Sequence, residues 1–518
     1  MEAVLKFEKQ NTRTMLTLIT SLITMAITVL VNFFLSPYIV KTLGAEANGF
    51  TQLATNFINY ASLLTIALNS MAGRFITISY YKNDTKAINQ FYSSVIVGNL
   101  LIFLFLLLPS IYCVVQLDHI VRIEAANILD VKCLFTLVFA NFFLSQVISV
   151  LNIACYVTNK QYLQNPVIIA KTILYAVLLL VVFSIFPPQI YYVSLVGFIL
   201  TFFSIPFYLR IKNQIIPELS FNYSFFNFNT VAQLITSGIW NTINQCGNLL
   251  MTGFDLLLSN LLIGPAQMGM LAIAKVVPNT IIQIAATTNT SFSPNLTIAY
   301  ASESKENILR SIRYAMKSSS ILVSIPIMVL CIYGQNFYQL WVPSLDSQQL
   351  AIISILTCMA FIPFAGPQVL YNVFTTTNKL KVNSITFLLG GLLNILVVII
   401  LLKITDLNLL AVAGVSSIIS IMRNLMITIP YTAKLLNLKW YTFYKDVGIS
   451  LLCCAITGIA SVFFQRLVIP DNWANMTFSV FLAGFASLFL CILILLKRDE
   501  KKQLLQIIKA KMVKNGKN

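Results

Sequence analysis

"TLITSLITMAITVLVN" (residues 17–32) and "SGIWNTINQCGNLLMT" (residues 237–252) are apolar stretches that carry polar residues at the same helical steps. In the first, Thr17, Ser21, Thr24, Thr28 and Asn32 recur every three or four residues. In the second, 220 residues further on, stand Ser237, Asn241, Asn244, Asn248 and Thr252. That spacing puts the polar groups on one helix face. In lipid such a face gains nothing unless it meets protein or water. The correspondence continues without a gap through Gly44/Gly264, Gly49/Gly269, Ala54/Ala274, Asn59/Asn279, Asn69/Asn289, Thr77/Thr297, Ile78/Ile298 and Tyr80/Tyr300. Two copies of one polar-faced helix predict two similar halves facing each other across a polar cavity, which is the plan of a transporter.

The rest of the chain fits that reading. Of 518 residues, 58% are hydrophobic and only 10% charged, with a mean hydropathy of +0.83, so the chain reads as a polytopic membrane protein. Apolar segments near 15–40, 50–76, 88–112, 129–156, 165–186 and 190–209 form a first group of six. A second six lie near 232–262, 268–296, 310–333, 348–374, 382–402 and 409–431, and a last pair near 446–468 and 477–496. The expected fold is all-α: about fourteen transmembrane helices in two six-helix lobes, related as a parallel repeat around a central cavity, plus two C-terminal helices. The expected divisions are 1–209, a cytoplasmic interfacial linker 210–230, a second lobe 231–432, the extra pair 433–496 and a basic tail 497–518.

Net charge is +17, and its placement orients the chain. With a cytoplasmic amino terminus, 26 of the 34 Lys and Arg residues fall on the cytoplasmic side and five in outer loops. Both termini are therefore expected inside, and nucleic acid is not needed to explain the basic balance. The first helix follows basic residues as a signal peptide would, but it is too long for an h-region, so it is read as retained. The tail, with eight basic residues and Leu504, Leu505, Ile507 and Ile508 between them, suits either an amphipathic helix on anionic lipid or a solvated basic end. Nine cysteines are scattered without metal-ligand spacing, and the single histidine, His119, falls in a loop. No cofactor or metal is expected. Phosphate-binding, metalloprotease and nucleophile-elbow motifs are all missing, so an enzyme is not expected either.

Candidate functional residues are the few charges and amides inside helices. Asp255 continues the second stripe and lies ten residues before Pro265; Lys275 lies ten after it. On antiparallel helices the two come to a similar depth, either as a structural ion pair or as part of a substrate or coupling-ion site. Arg423 is deep in the twelfth segment and is expected to face the cavity. Arg74 and Lys171 lie nearer helix ends, where they either serve an anionic ligand or snorkel. Asn32, Asn241 and Asn248 represent the stripes, which either meet hydroxyl-rich cargo or join packed helices to one another.

"LSPYIVKTLGAEANGFTQLATNFINYASLLTIALNSMAGRFITISYYKND", Leu35 to Asp84, resembles the opening of the bacterial polysaccharide flippases, in the superfamily that includes multidrug exporters and the lipid II flippase. The resemblance is carried by Leu43, Gly44 and Gly49 in an outer turn and by Gly73-Arg74 near the end of the next helix. It implies a carrier of undecaprenyl-pyrophosphate-linked oligosaccharide repeat units in the bacterial cytoplasmic (inner) membrane. Such a carrier works by alternating access and supplies capsule, O-antigen or exopolysaccharide assembly. Its expected partners are that lipid-linked glycan, membrane lipids, H+ or Na+ as coupling ion, and polysaccharide polymerase machinery. The final helix pair resembles that of the lipid II flippase, where a groove receives the lipid tail. A cation-coupled multidrug or metabolite antiporter of the same superfamily is the alternative, and a membrane scaffold a third reading.

Overall fold

A computed structural model describes residues 2–123, 128–293, 296, 300, 305–377 and 379–495; the basic tail, Thr297 and Ile298 lie outside the described residues. Every regular element among these is helical. We number the membrane-scale helices α1 (Glu2–Leu43), α2 (Ala45–Tyr81), α3 (Thr85–Val115), α4 (Ile128–Val157), α5 (Asn165–Ile185), α6 (Tyr191–Ile215) and α7 (Phe228–Ile263). There follow α8 (Pro265–Ser291), α9 (Lys305–Trp341), α10 (Ser347–Cys358), α11 (Leu380–Ile404), α12 (Leu409–Leu435), α13 (Tyr444–Leu467) and α14 (Trp473–Leu495).

Thirteen of these are long and apolar enough to cross a membrane, α1 through its Ile19–Leu43 part. The exception is the tenth, expected as one span over 348–374. It stops at Cys358 and resumes as short turns, Phe361–Phe364, Pro367–Leu370 and Tyr371–Thr376. Pro363 and Pro367 each remove a backbone donor. Gly366 sits against α9 so closely that a Cβ would lie 2.5 Å from the Met316 carbonyl oxygen. Side chains satisfy the broken backbone: Ser319 Oγ donates to the Ala365 carbonyl (2.8 Å), and the Gly366 amide donates to Ser450 Oγ (3.3 Å). Broken helices persist in membranes where protein supplies such partners.

Packing groups the chain into two compact units, residues 1–273 with 387–395, and residues 274–386 with 396–518, along different lines from the six-helix lobes. In the first, Leu68, Ala72 and Ile76 of α2 form a core with Tyr92 and Val95 of α3, Ala154 and Val157 of α4 and Leu234 of α7. Ile216 and Leu219 drop from the linker into this core, while Phe221 and Tyr223 stay exposed. In the second unit, Met316 of α9, Val369 and Leu370 of the broken tenth segment, Ile429 of α12 and Val447 of α13 do the same.

The repeat is visible as chemistry inside each unit. Asn69 Nδ2 on α2 donates to Asn99 Oδ1 on α3 (3.1 Å) and to Gln146 Oε1 on α4 (3.3 Å). Asn289 on α8 is Asn69 shifted by 220; its Nδ2 donates to Gln368 Oε1 (3.0 Å), and its Oδ1 accepts from Ser319 on α9 (3.0 Å). Ser319 is likewise Asn99 shifted by 220, and Gln368 occupies the place of Gln146. An asparagine hub is thus built twice, joined to two amides in the first copy and to an amide and a serine in the second. Gly44 and Gly264, also repeat partners, are the only described glycines at positive φ (89° and 157°), and each starts a helix.

Candidate functional site

The polar stripe of α1 is partly satisfied by its own helix. Thr24 and Thr28 hydroxyls donate to carbonyls four residues back, each at 2.8 Å, a local bond these residues make readily in helices. Asn165 of α5 donates to Thr20 Oγ1 (2.7 Å) and to Ser21 Oγ (3.1 Å). Asn32 is exposed. On α7, Asn241 is half-buried and donates to Ser70 of α2 (3.3 Å), and Asn248 is half-buried with no side-chain hydrogen bond among the described residues.

Asp255 lies deeper, 2% exposed, and its helix is irregular on both sides. Leu249–Gly253 and Ser259–Ile263 are π-helical, with one α turn between them that begins at Asp255. A π turn displaces carbonyls from the regular ladder and is frequent at functional sites. Here the displaced groups are met from neighbouring helices. The Gly253 carbonyl accepts from Asn56 Nδ2 (2.9 Å) and Tyr60 OH (2.7 Å), while the Tyr60 ring stacks on Phe254 at 4.6 Å. Asn394 of α11, fully buried, donates to the Leu250 and Met251 carbonyls (3.2 and 3.1 Å). Lys275 is 6% exposed and stands at a one-residue break in α8, between Pro265–Ala274 and Val276–Ser291. Asp255 and Lys275 fall in different compact units.

Arg423 is the most elaborated cation. It is 6% exposed and immediately precedes a third π segment, Asn424–Thr428. Its guanidinium donates to Asn383 Oδ1 of α11 (3.3 Å), to Asn424 Oδ1 (3.2 Å) and to Tyr371 OH, and it lies 5.5 Å from the Tyr371 ring centroid. Tyr371 OH and Thr428 Oγ1 both donate to Asn424 Oδ1, at 2.6 and 2.9 Å. Three polar side chains from three segments thus hold the guanidinium of Arg423, the residue expected to face the cavity. Lys171 is half-buried, and its ammonium donates to Thr201 Oγ1 of α6 (2.7 Å). Arg74 is exposed on α2. Sequence reasoning missed Tyr371, Asn383 and Asn424; the Asn-x-x-x-Thr step after Arg423 was a signal for Asn424 alone.

A second feature closes the segment after α3. Asn260, fully buried in the second π segment of α7, accepts from the Arg122 amide (2.8 Å) and donates to the Arg122 carbonyl (3.1 Å). Nearby, a hydrogen bond from Lys132 Nζ (2.6 Å) holds the exposed Asp118 carboxyl below its usual range. Asn260→Ala leaves both Arg122 backbone groups without their partner, which costs about 1–3 kcal/mol locally. Amide hydrogen exchange over residues 117–123 should then quicken while that of α2 stays unchanged; unchanged exchange at 117–123 would remove the clasp.

No family model matches the chain. The membrane protein EpsK of Bacillus subtilis (strain 168) is 25% identical over 475 residues, 90% of this chain and 93% of EpsK. Among solved structures, the lipid II flippase MurJ in an inward closed conformation aligns with a TM-score of 0.68 at 14% identity, covering 92% of this chain and 98% of MurJ. An inward-facing multidrug resistance MATE transporter of the MOP superfamily aligns with a TM-score of 0.64 at 13% identity, covering 80% of this chain and 94% of its own.

Proposed function

We propose that this chain, a member of the superfamily of multidrug, oligosaccharidyl-lipid and polysaccharide exporters, flips undecaprenyl-pyrophosphate-linked oligosaccharide from the inner to the outer leaflet of a bacterial cytoplasmic membrane. The observation that carries the reading is the C-terminal pair. MurJ covers 92% of the chain where the MATE transporter covers 80%, a gap comparable with α13 and α14 together. Along α13 runs an apolar groove of about 950 Å³, walled by Met328, Ile332, Leu451, Ile459 and Phe463, with Arg466 as its only charged lining residue. A polyprenyl chain needs such a surface, because its methylenes gain by apolar contact.

On this reading residues 1–209 and 231–432 act as lobes, linked by 210–230, and rock around a cavity. Arg74, Lys171, Lys275 and Arg423 supply positive charge to the pyrophosphate. Asn32, Asn241 and Asn248 meet sugar hydroxyls, and Asp255 serves a coupling H+ or Na+. Both termini are cytoplasmic, polymerase machinery takes the product, and the work is transport, not catalysis. The alternative, a cation-coupled drug or metabolite antiporter, is favoured by the MATE alignment at 0.64.

The test is the sidedness of the lipid-linked glycan in spheroplasts of a deletion strain, read with a probe that cannot cross the membrane. Inner-leaflet accumulation reversed by the wild-type chain supports flipping. Normal outer-leaflet exposure, with no second flippase present, sinks it in favour of the antiporter.

A further inference from the structure

Beyond that reading, and independent of which cargo is carried, the end of α12 holds a notch that nothing above uses. Its apolar wall is Val382 of α11 with Met426, Ile427 and Pro430 of α12, and its volume is about 590 Å³. Its rim is Tyr431, Lys434, Asn437 and Trp440. The chain reversal that assembles the rim is specified locally. Asn437 takes the left-handed conformation (φ 53°), and the Leu438 amide donates back to the Ala433 carbonyl at 2.8 Å, the six-to-one bond of a Schellman motif. Leu438 then packs into the core of its unit, and Trp440 returns alongside the last turn of α12, 63% exposed.

Four polar groups meet at the rim: the Tyr431 hydroxyl, the Lys434 ammonium, the Asn437 amide and the Trp440 indole N–H. None has a hydrogen-bond or ion-pair partner among the described residues, and no carboxylate lines the notch. All four can donate, and two of them, ammonium and indole, can only donate. A donor-rich, singly cationic rim above an apolar wall matches a phosphate on a glycerol backbone above acyl chains. We propose that this notch is a binding site for an anionic phospholipid, with the headgroup phosphate on Lys434 and Trp440 and one acyl chain along Met426 and Ile427. The setting agrees. Lys439 lies beside the notch with its ammonium over the Tyr441 ring, and Trp and Tyr side chains belong at the headgroup level of a bilayer. The lipid would touch the chain next to the Arg423 cluster, because Val382 adjoins Asn383, and Met426 and Ile427 lie in the same π segment as Asn424.

The experiment places the full-length chain in phosphatidylcholine nanodiscs containing a minority of brominated phosphatidylglycerol or brominated phosphatidylcholine. Trp440 emission is isolated as the difference between wild type and Trp440→Phe. One basic residue near an anionic headgroup should make brominated phosphatidylglycerol the better quencher by about five-fold in effective concentration. Lys434→Gln should bring that quenching to the phosphatidylcholine level, and Lys434→Arg should retain it. Lys434 is exposed and unbonded, so these variants keep the fold, checked by gel filtration. Equal quenching by the two lipids, a preference that survives Lys434→Gln, or quenching that is the same in Trp440→Phe would each overturn the proposal. Relief of quenching by soluble glycerol 1-phosphate would also overturn it, reassigning the notch to a free phosphate ester.

Discussion

Arg423→Ala is expected to lower stability by about 2–4 kcal/mol and to stop transport, because one truncation unmakes a whole buried cluster. The guanidinium bridges Asn383 on α11, Tyr371 on the broken tenth segment and Asn424 on α12. Removing it leaves the Asn383 and Tyr371 oxygens facing a hole, and Asn424 Oδ1 keeps only its donors from Tyr371 and Thr428. Arg423→Lys retains the charge but cannot span three acceptors with one nitrogen, so it should recover no more than about half of that loss.

Tyr371→Phe deletes the hydroxyl that accepts from Arg423 and donates to Asn424, for about 1–2 kcal/mol. Because the two side chains share partners, the double variant should cost less than the sum of the singles by at least about 0.5 kcal/mol. Thermal melting of the purified variants reads this directly. Additive losses would mean that Arg423 and Tyr371 act separately. If Arg423→Lys keeps transport with full stability lost, the cation itself serves the anionic cargo; if both fall together, the cluster is a latch between helices.

The repeat could be read from residue identities because Asn is rare inside apolar helices and keeps its offset. Asn69 and Asn289 proved to be the hubs of matching clusters, and Gly44 and Gly264 matching helix starts. What stayed hidden depends on hydrogen bonds between segments. Hydropathy counts apolar residues, so it carried 348–374 as one helix although Pro363, Gly366 and Pro367 were present to break it. The π turns were invisible because one extra residue barely disturbs periodicity; their stability rests on distant donors such as Asn56, Tyr60 and Asn394. Spacing also leaves out that the Thr24 and Thr28 hydroxyls donate to their own backbone, which leaves them only lone pairs for any other partner. Side-chain placement at Arg423 needed two other segments that sequence spacing does not bring together.

Gly269→Ala should be a strongly damaging single methyl in the chain's first unit, and the repeat makes it a controlled comparison. Gly269 at the start of α8 touches the start of α2, where its own repeat partner Gly49 lies. The Gln52 amide, by the same symmetry, donates to the carbonyl of Ala272, its counterpart 220 residues on (3.1 Å). Residues that contact their own repeat mates lie close to the axis relating the copies, so a change there strains both copies at once. The two sites differ in what a methyl would meet. At Gly269 it would fall 2.5 Å from the Ala45 carbonyl carbon and oxygen and 2.7 Å from the Glu46 amide, all backbone. At Gly49 it would meet the Met268 Cε and the Gly269 Cα, each at 2.9 Å, and the Gly269 amide nitrogen at 3.0 Å, so one of its contacts is a flexible side chain and its backbone contacts are looser than those at Gly269. Alanine favours a helix interior over glycine by about 1 kcal/mol, a gain common to both variants. Overpacking costs about 1–3 kcal/mol, and fixed backbone contacts put Gly269→Ala at or above the top of that range. Gly269→Ala should therefore lower the melting temperature clearly, and by more than Gly49→Ala does. Equal melting of the two would mean that α2 and α8 part easily at this contact and that the glycines are not what sets their spacing.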